Sequence, residues 1–256
     1  MVGKKDQIKV YVCQVGCGGV NWMFFDARKK RNFDTVYLNK DDMLKLRKTI
    51  DHFVSSEEMY ARLGIPYKLN LLFSGMAGMG KTSLAMAIAS ILNRNVYIFP
   101  ISKDVDDIKL IQAISGMASD SILLCEDIDC VFEDRVTTDA GKNKVTLSGI
   151  LNILDGLTTR IGLITILTTN FIDRIDKALK RAGRIDLHLH FEYATNEQIT
   201  QMIEMYYPSK IDLAKAFIEC LIKMDMKVTM AELQSFFFYT VGIDGDPVMM
   251  IDKLKI

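Results

Sequence analysis

The spacing of apolar residues changes several times along this chain and predicts its elements. Residues 7–25 alternate between apolar and polar positions on either side of a glycine-rich stretch at 16–19, which predicts a β-hairpin. Phe33–Leu38 has the pattern of another short strand. Lys40–Val54 then carries apolar residues at helical spacing, so we expect the first helix there.

Short apolar stretches separated by helical patterns follow from residue 69. Mainly apolar strands are expected at Leu69–Phe73, Val96–Phe99, Ile122–Cys125 and Ile164–Leu167, with a fifth at Leu187–Phe191. The first of them is interrupted once, by Asn70. Apolar strands that alternate with helices predict a parallel sheet with helices on both faces.

Capping signals mark the ends of several helices. Ser55 with Glu58 is expected to form a capping box, and Gly64 to end the helix that follows. Thr195 with Gln198 predicts a second capping box. From there the pattern is helical, at residues 195–206, 211–223 and 229–239. We therefore expect the last part of the chain to be a small helical unit.

Composition narrows the class of protein. The chain is 49% hydrophobic and 25% charged, which is ordinary for a globular protein and excludes disordered and fibrous classes. Lys and Arg total 32, as do Asp and Glu, so no overall charge favours nucleic acid or an anionic membrane as a partner. The basic run Arg28–Arg31 is interpreted as a solvated face, with targeting, membrane and partner-docking roles left open.

Cysteine usage and hydropathy predict a soluble intracellular chain. Five cysteines in no framework spacing indicate a reducing compartment, and three histidines offer no ligand set for a structural zinc ion. No apolar run reaches the length of a transmembrane helix. The first residues lack the features of a signal or transit peptide, so no membrane span is expected.

A glycine-rich loop between the first apolar strand and the next helix carries the most specific pattern. Its residues fit G-x-x-x-x-G-K-[ST]: Gly75, Met76, Ala77, Gly78, Met79, Gly80, Lys81 and Thr82, with Ser83 next. Such glycines let backbone N–H groups surround phosphates at a helix N-terminus, while Lys81 contacts the β- and γ-phosphates and Thr82 holds Mg²⁺. We therefore predict a nucleotide-binding P-loop rather than a turn that only packs a helix on a sheet.

Carboxylates follow the strand expected at Ile122–Cys125. Glu126 and Asp127 stand where a nucleotide site needs one carboxylate in the Mg²⁺ shell and a neighbour that polarises the attacking water. By position we assign Glu126, with Thr82, to the metal and Asp127 to the catalytic base. Without the P-loop, the same residues would equally fit a solvated strand end.

Polar residues after the fourth strand complete the candidate set. Asn170 is expected to orient the attacking water and to sense the γ-phosphate, although asparagine is also an ordinary turn residue. Arg181 and Arg184 are predicted to be arginine fingers, which speed phosphoryl transfer by about 10³–10⁵; the alternative is a helix cap. On this topology they lie away from their own P-loop. They would then act on a neighbour's nucleotide in a closed head-to-tail ring.

These four elements, in this order and spacing, resemble those of the AAA ATPases. The segment Thr168–Asp186 is similar to the second region of homology of that family. Further segments resemble one subfamily, the mitochondrial chaperone ATPases that insert the Rieske iron–sulfur protein during assembly of respiratory complex III. These segments are Phe33–Leu38, Tyr60–Tyr67, Glu126–Asp129, Thr146–Gly156 and Met230–Gln234. The resemblance covers nearly the whole chain from Trp22 onwards.

The resemblance implies an α/β fold in which helices sandwich the parallel sheet of an AAA P-loop domain. It implies the end of a β-rich middle domain at 1–39, a nucleotide-binding domain at 40–192 and a helical lid at 193–256. It implies hydrolysis of Mg-ATP by a homo-oligomeric ring that remodels or translocates a protein partner, and a nucleotide base that rests near Ile65. Residence in the mitochondrial inner membrane and the Rieske substrate are not carried over, because the membrane helix is absent.

Departures from the family pattern keep other functions open. Met76, Ala77 and Met79 replace the usual Pro-Pro and Thr of the loop, and residues 101–120 contain no aromatic residue for a pore loop. One alternative is a nucleotide-gated binding or scaffold module with negligible hydrolysis. A second is a DNA-acting AAA protein, against which the neutral net charge argues.

Overall fold

The computed structural model describes residues 6–16, 19–101, 105–133, 145–156, 160–208 and 210–255. The predicted hairpin turn at 17–18, with Cys17, lies outside them, as do residues 102–104 of the 101–120 segment. The strands are β1 (Gln7–Gly16), β2 (Gly19–Lys29), β3 (Lys68–Gly75), β4 (Val96–Phe99), β5 (Ile122–Cys125), β6 (Leu163–Thr169) and β7 (Leu187–Phe191). The helices are α1 (Lys40–Ser55), α2 (Glu57–Leu63), α3 (Lys81–Leu92), α4 (Asp107–Ser115), α5 (Cys130–Glu133), α6 (Leu147–Asp155), α7 (Asn196–Tyr206), α8 (Ile211–Lys223) and α9 (Met230–Gly242).

The described strands form one seven-stranded sheet in the order β2-β1-β4-β5-β6-β3-β7. The β1–β2 pair is antiparallel, and the other neighbouring pairs are parallel. The predicted α/β fold with a helix-covered parallel sheet is confirmed. Because β3, β5 and β6 are parallel neighbours, the segments that follow them meet at one edge of the sheet.

The five predicted strands of the parallel sheet form where the apolar runs lie. β4, β5 and β7 have the predicted bounds, and β3 and β6 extend beyond theirs at both ends. Every residue of β3 and of β6 is buried. Backbone groups without access to water must pair with each other, so these central runs form ladders on both sides.

The N-terminal hairpin joins the edge of this sheet. β1 pairs with β2 as predicted, and it also pairs in parallel with β4, from Val10 opposite Val96 to Val12 opposite Ile98. The hairpin and the P-loop strand β3 therefore belong to one sheet. The assignment of residues 1–39 to a separate domain stays a prediction.

The strand predicted at Phe33–Leu38 is wrong, because this segment begins with a 3₁₀ turn that ends at Thr35. Asn32 caps the turn, since its side-chain oxygen accepts a hydrogen bond from the backbone N–H of Asp34 at 3.1 Å. The Arg31 guanidinium donates to the hydroxyl and the carbonyl of Thr35, both at 3.1 Å. These local bonds satisfy the backbone in place of a sheet ladder.

The capping box predicted for Ser55 and Glu58 is also wrong. Ser55 is the last residue of α1, and its hydroxyl donates to the carbonyl of Asp51 at 2.8 Å. α2 begins after Ser56, whose side chain makes no capping bond. A polar side chain one turn after a backbone carbonyl bonds to it readily, so Ser55 is satisfied within the preceding helix.

Helices cover both faces of the sheet and then form a second core. On one face, α1 and α3 pack on Leu71 and Phe73 of β3; on the other, α4 and α6 pack on Leu72. The helices α7, α8 and α9 form their own core around Phe217 and Phe237. Complete burial of each of these two side chains contributes about 1.5–3 kcal/mol to stability.

One of the C-terminal helices begins at a predicted capping box and another at one that was not predicted. Thr195 and Gln198 form the expected capping box at α7, and Thr229 with Glu232 forms another at α9. Gly64 ends α2 with a φ of 66°, as predicted. Among the residues that the structure describes, no helix has both the length and the apolar character needed to cross a bilayer.

Candidate functional site

The loop between β3 and α3 has the conformation that its glycines predict. Gly75, Gly78 and Gly80 adopt positive φ angles of 135°, 80° and 103°. A side-chain carbon on Gly75 would collide with the backbone oxygen of Phe191 on the neighbouring strand β7. Glycine is therefore required at Gly75, and the loop forms a cradle directly before a helix N-terminus, where anions bind favourably.

Lys81 lies at the start of α3 and is 8% exposed. Its ammonium donates to the carbonyl of Met76 at 2.9 Å and to Oδ1 of Asn170 at 2.8 Å, and also to the carbonyl of Gly75. Burial lowers the pKa of Lys81, and the carboxylates after β5 partly oppose that shift. The ammonium thus connects the P-loop with the residue that follows β6.

Thr82 and Glu126 form the second contact across this edge of the sheet. The Thr82 hydroxyl donates to Oε1 of Glu126 at 2.5 Å, a hydrogen bond to a charged acceptor. A hydroxyl beside a carboxylate offers the oxygen ligands that Mg²⁺ prefers. The donor set therefore suits Mg²⁺ at the pair of residues assigned to the metal from the sequence.

Asp127 has an unusual backbone conformation. Its φ is 51°, in the left-handed region that aspartate tolerates better than most residues. Its N–H donates to the Thr168 hydroxyl at 3.1 Å, and its Oδ1 accepts a hydrogen bond from Nδ2 of Asn170 at 2.9 Å. Asn170 therefore bridges Lys81 and Asp127 through the two ends of its amide.

Asp129 is a residue of this site to which the sequence reasoning gave no role. It is 5% exposed, and its Oδ1 accepts hydrogen bonds from the Thr169 hydroxyl at 2.7 Å and from the backbone N–H of Asn170 at 3.1 Å. The carboxylate thus fixes the backbone that presents the Asn170 amide. The signal in the sequence is the third acidic residue of the run Glu126–Asp129.

A cavity of about 360 Å³ extends from the P-loop to the C-terminal helices. It is lined by Ala77, Gly78, Met79, Gly80, Lys81, Thr82, Ser83, Glu126, Asp127 and Asn170 at one end, and by Arg31, Thr35, Val36, Tyr37, Met202, Met230, Ala231 and Gln234 at the other. The sequence patterns did not predict the second group. Its members come from the basic run, from a segment predicted to be a strand and from helices predicted only to form a lid.

Two hydrogen bonds hold the C-terminal helices against this cavity. The backbone N–H of Ala231 in α9 donates to the carbonyl of Gly78 at 3.0 Å. The side chain of Gln198 in α7 donates to the carbonyl of Tyr37 at 2.8 Å. The helical unit is thus bonded to the P-loop and to the far wall of the same cavity.

Ile65 lies away from this cavity. It precedes β3, whereas the P-loop follows β3, and eight residues of extended strand span about 25 Å. Ile65 is 50% exposed and lines a different cavity with His52, Tyr60 and Lys68. The contact with a nucleotide base expected near Ile65 therefore does not fit the structure, because the two ends of one strand cannot share a ligand of this size.

Arg181 and Arg184 have different surroundings, and neither lines the P-loop cavity. Arg184 donates to both carboxylate oxygens of Asp155 at 2.7 and 3.0 Å, and to the carbonyl of Ala178 at 2.9 Å. Hydrogen bonding to Arg184 lowers the pKa of Asp155. The Arg181 side chain is exposed, and within the described part of the chain it makes no hydrogen bond or ion pair.

Comparison with protein families agrees with this arrangement. Residues 71–193 match the ATPase family associated with various cellular activities (AAA). Residues 196–241 match the mitochondrial chaperone BCS1-like, ATPase lid domain. The two matches meet between β7 and α7, where the sheet ends and the helical unit begins.

Curated proteins similar to this chain include three chaperones. The probable mitochondrial chaperone BCS1-A of Dictyostelium discoideum is 37% identical over 236 residues, which are 88% of this chain and 56% of that protein. The mitochondrial chaperone BCS1 of Homo sapiens is 30% identical over 93% of this chain and 58% of its own length. That of Danio rerio is 31% identical over 93% and 59%. The chain thus spans little more than half the length of these relatives.

Proposed function

The chain belongs to the AAA ATPases and carries a BCS1-like lid, and from this premise we propose that it hydrolyses Mg-ATP as one subunit of a closed ring and uses the cycle to remodel or translocate a protein partner. The observation that carries the proposal is the chain of hydrogen bonds from Lys81 through Asn170 to Asp127, beside the Thr82–Glu126 pair. This chain of bonds joins the residues proposed to contact phosphate and water, and the pair proposed to hold the metal ion lies beside it.

The residues of the network have separate roles in this proposal. The P-loop and Lys81 bind the triphosphate, and Thr82 with Glu126 would hold Mg²⁺, which supplies positive charge to the phosphates. Asp127 accepts the proton of the attacking water. Asn170 orients that water, because its amide is already fixed between Lys81 and Asp127. General base catalysis of this kind contributes about 10²–10⁴ to a rate.

The base of ATP lies, in this proposal, at the far end of the same cavity. Val36 and Tyr37 form one wall there, and Met202 and Met230 of the C-terminal helices form another. Apolar side chains on two sides suit a flat aromatic base, and Gln234 adds a polar group that can bond to it. This placement replaces the one expected near Ile65.

Ring formation is proposed because Arg181 is remote from its own P-loop cavity. An exposed guanidinium without a described partner can stabilise the transition state only in another subunit. A surface that presents Arg181 to the P-loop of the next copy makes a head-to-tail contact, and such contacts form a ring when the rotation between copies closes. Of the two arginines, Arg181 is the finger in this proposal, and Asp155 holds Arg184 within its own subunit.

Phosphate release and particle imaging of the purified chain test this proposal together. We expect steady phosphate release with Mg-ATP, none from the Lys81→Ala control, and closed rings in images taken with Mg-ATP. Tight ATP binding with no phosphate release would favour the nucleotide-gated scaffold instead. Failure to bind adenine nucleotides, or monomers at all concentrations with native turnover, would overturn the proposal.

A protein substrate and a mitochondrial location are proposed on the names of the relatives, which are mitochondrial chaperones. Imaging of the tagged full-length protein beside a mitochondrial marker tests the location. Stimulation of phosphate release by an added folded protein domain, compared with the same domain unfolded, tests the substrate class. A location outside mitochondria, or a rate unaffected by either form, would count against these two extensions.

A further inference from the structure

Asn70, the polar interruption of the apolar strand β3, is bonded to the loop that carries the two arginines. It is 1% exposed, and its Nδ2 donates to the carbonyl of Arg184 at 2.6 Å and to that of Leu154 at 3.0 Å. Its backbone N–H donates to Oδ2 of Asp186 at 2.7 Å, and its carbonyl accepts from the N–H of Asp186 at 2.9 Å. One buried residue thus makes four bonds to the segments around this loop.

Lys68 acts on the same loop from two residues earlier on β3. Residues two apart on a strand share a face, so Lys68 and Asn70 point in the same direction. The Lys68 ammonium is 9% exposed and donates to the carbonyl of Gly183 at 3.0 Å and to that of Leu154. Because a buried ammonium is costly without partners, strand and loop depend on each other here.

The loop is therefore fixed from three sides while Arg181 is left exposed. Lys68 holds Gly183, Asn70 holds the Arg184 backbone, and Asp155 holds the Arg184 side chain through two bonds. Long cationic side chains lose entropy when they are positioned, and a fixed backbone reduces the freedom that must be lost. The bonds restrict the loop without engaging the Arg181 guanidinium.

We propose that Lys68 and Asn70 are positioning residues for Arg181, which hold the arginine loop in the orientation that presents Arg181 to the ATP site of the adjacent subunit. The inference rests on the proposed function, in which Arg181 acts on a neighbour's nucleotide. It gives β3 two roles: its C-terminal end carries the P-loop of its own site, and its N-terminal end aligns the residue that serves the next site.

The first test compares Asn70→Leu with Thr165→Val. Thr165 is paired with Asn70 across the β3–β6 ladder and is 1% exposed, so the control removes a buried polar group at the same level of the sheet. We expect Asn70→Leu to lower kcat at least tenfold with KM for ATP within twofold, because misplacement of a catalytic group by about 1 Å can cost about 10² in rate. Thr165→Val should keep a native kcat.

The second test asks whether the defect lies in the neighbour's site. In mixtures with Lys81→Ala protein, an Asn70→Leu subunit keeps its own P-loop and receives a native Arg181 from the next subunit. Phosphate release per Asn70→Leu subunit should then rise severalfold above that of Asn70→Leu alone. A residue that only stabilises its own subunit would give no such recovery.

The outcomes separate this inference from the proposed function. If Asn70→Leu keeps its kcat while Arg181→Ala loses it, the inference is overturned and the ring ATPase stands. If Arg181→Ala keeps its kcat, the assignment of Arg181 as an arginine finger is wrong. Weakened ATP binding, or no recovery in mixtures, would also overturn the inference. Should Asn70→Leu fail to fold, Asn70→Ser and Lys68→Met carry the same two tests, and native kcat in both would refute it.

Discussion

The two ends of β3 differ in how complete they are within one subunit. At the C-terminal end, Lys81 and Asp127 are joined through Asn170, and Thr82 is bonded to Glu126 beside them. At the N-terminal end, Lys68 and Asn70 hold a loop in which the exposed side chain of Arg181 makes no hydrogen bond or ion pair within the described part of the chain. The C-terminal end of β3 forms part of a site within its own subunit, whereas the N-terminal end positions a side chain that is proposed to act in another subunit. Hydrogen bonds within one subunit therefore indicate which functions that subunit can perform without a neighbour.

The largest effect should come from Arg181, which tests whether the N-terminal end serves another subunit. We expect Arg181→Ala to lower kcat by about 10³–10⁵ without weakening ATP binding, because the side chain is far from its own P-loop. Phosphate release and nucleotide titration measure the two quantities. Lys180→Ala removes an adjacent exposed cation and should be near native. Mixing Arg181→Ala with Lys81→Ala protein should restore the rate only in part.

Asp127 tests the C-terminal end, where the group works within its own subunit. Asp127→Asn keeps the shape and the bond to Asn170 but removes the base, so we expect kcat to fall by about 10²–10⁴ while ATP remains bound. Asp225→Asn is a matched control, since Asp225 is exposed and has a similar φ of 49°. Native hydrolysis in Asp127→Asn would contradict its assignment as the base.

Gly75 sharpens the comparison by testing how tightly the P-loop end is packed. Alanine there must adopt a φ of 135° and displace the Phe191 backbone, so we expect Gly75→Ala to lower the free energy of unfolding by about 1–3 kcal/mol. Gly242→Ala is the control, because a side chain there would meet no atom within 4 Å. Urea unfolding measures both. Equal free energies of unfolding for the two variants would contradict this prediction, because they would show that the P-loop accommodates a side chain at residue 75 at little cost.

The smallest effect concerns the ion pair of Asp155 and Arg184 at the other end. Its lowered pKa means that Asp155 adds stability above the usual aspartate pKa of 3.8 and loses it as the pH falls. The side chain is 35% exposed, so solvent screening limits the contribution to about 1 kcal/mol or less at neutral pH. The free energies of unfolding of wild type and Asp155→Asn should differ by that amount at pH 7 and converge only as the pH falls below 3.8. A difference in the free energy of unfolding that increases as the pH falls would contradict the lowered pKa of Asp155.

The sequence predicted the structure best where a segment is buried, because burial leaves that segment few alternative conformations. The bounds of β4 and β5 followed from short apolar runs, because such runs in a parallel sheet are buried on both faces. Those of the edge strand β7 followed from a short alternating pattern. Thr82 and Glu126 were assigned to one metal site by their positions in the P-loop and after β5, and the structure brings them together because β3 and β5 flank β6 and end at one edge. Topology thus turned residue spacing into proximity.

Prediction failed where local side-chain bonds or the path of the chain decided the outcome. Phe33–Leu38 is rich in residues that favour strands, but Asn32 and Arg31 satisfy its backbone as a turn. The base was expected near Ile65 on the strength of a resemblance, yet that residue lies at the wrong end of β3. Asn70 was noticed only as an interruption, because its partners lie more than a hundred residues away at Arg184 and Asp186.

The bond between Ala231 and Gly78 has a mechanical consequence for the lid. The same loop that surrounds phosphate also accepts a hydrogen bond from the first turn of α9. Any rotation of the lid away from the sheet must either carry Gly78 with it or break that bond, which costs about 0.5–1.5 kcal/mol. A change in the shape of the loop is therefore transmitted to the lid as a change of angle, without an intervening linker.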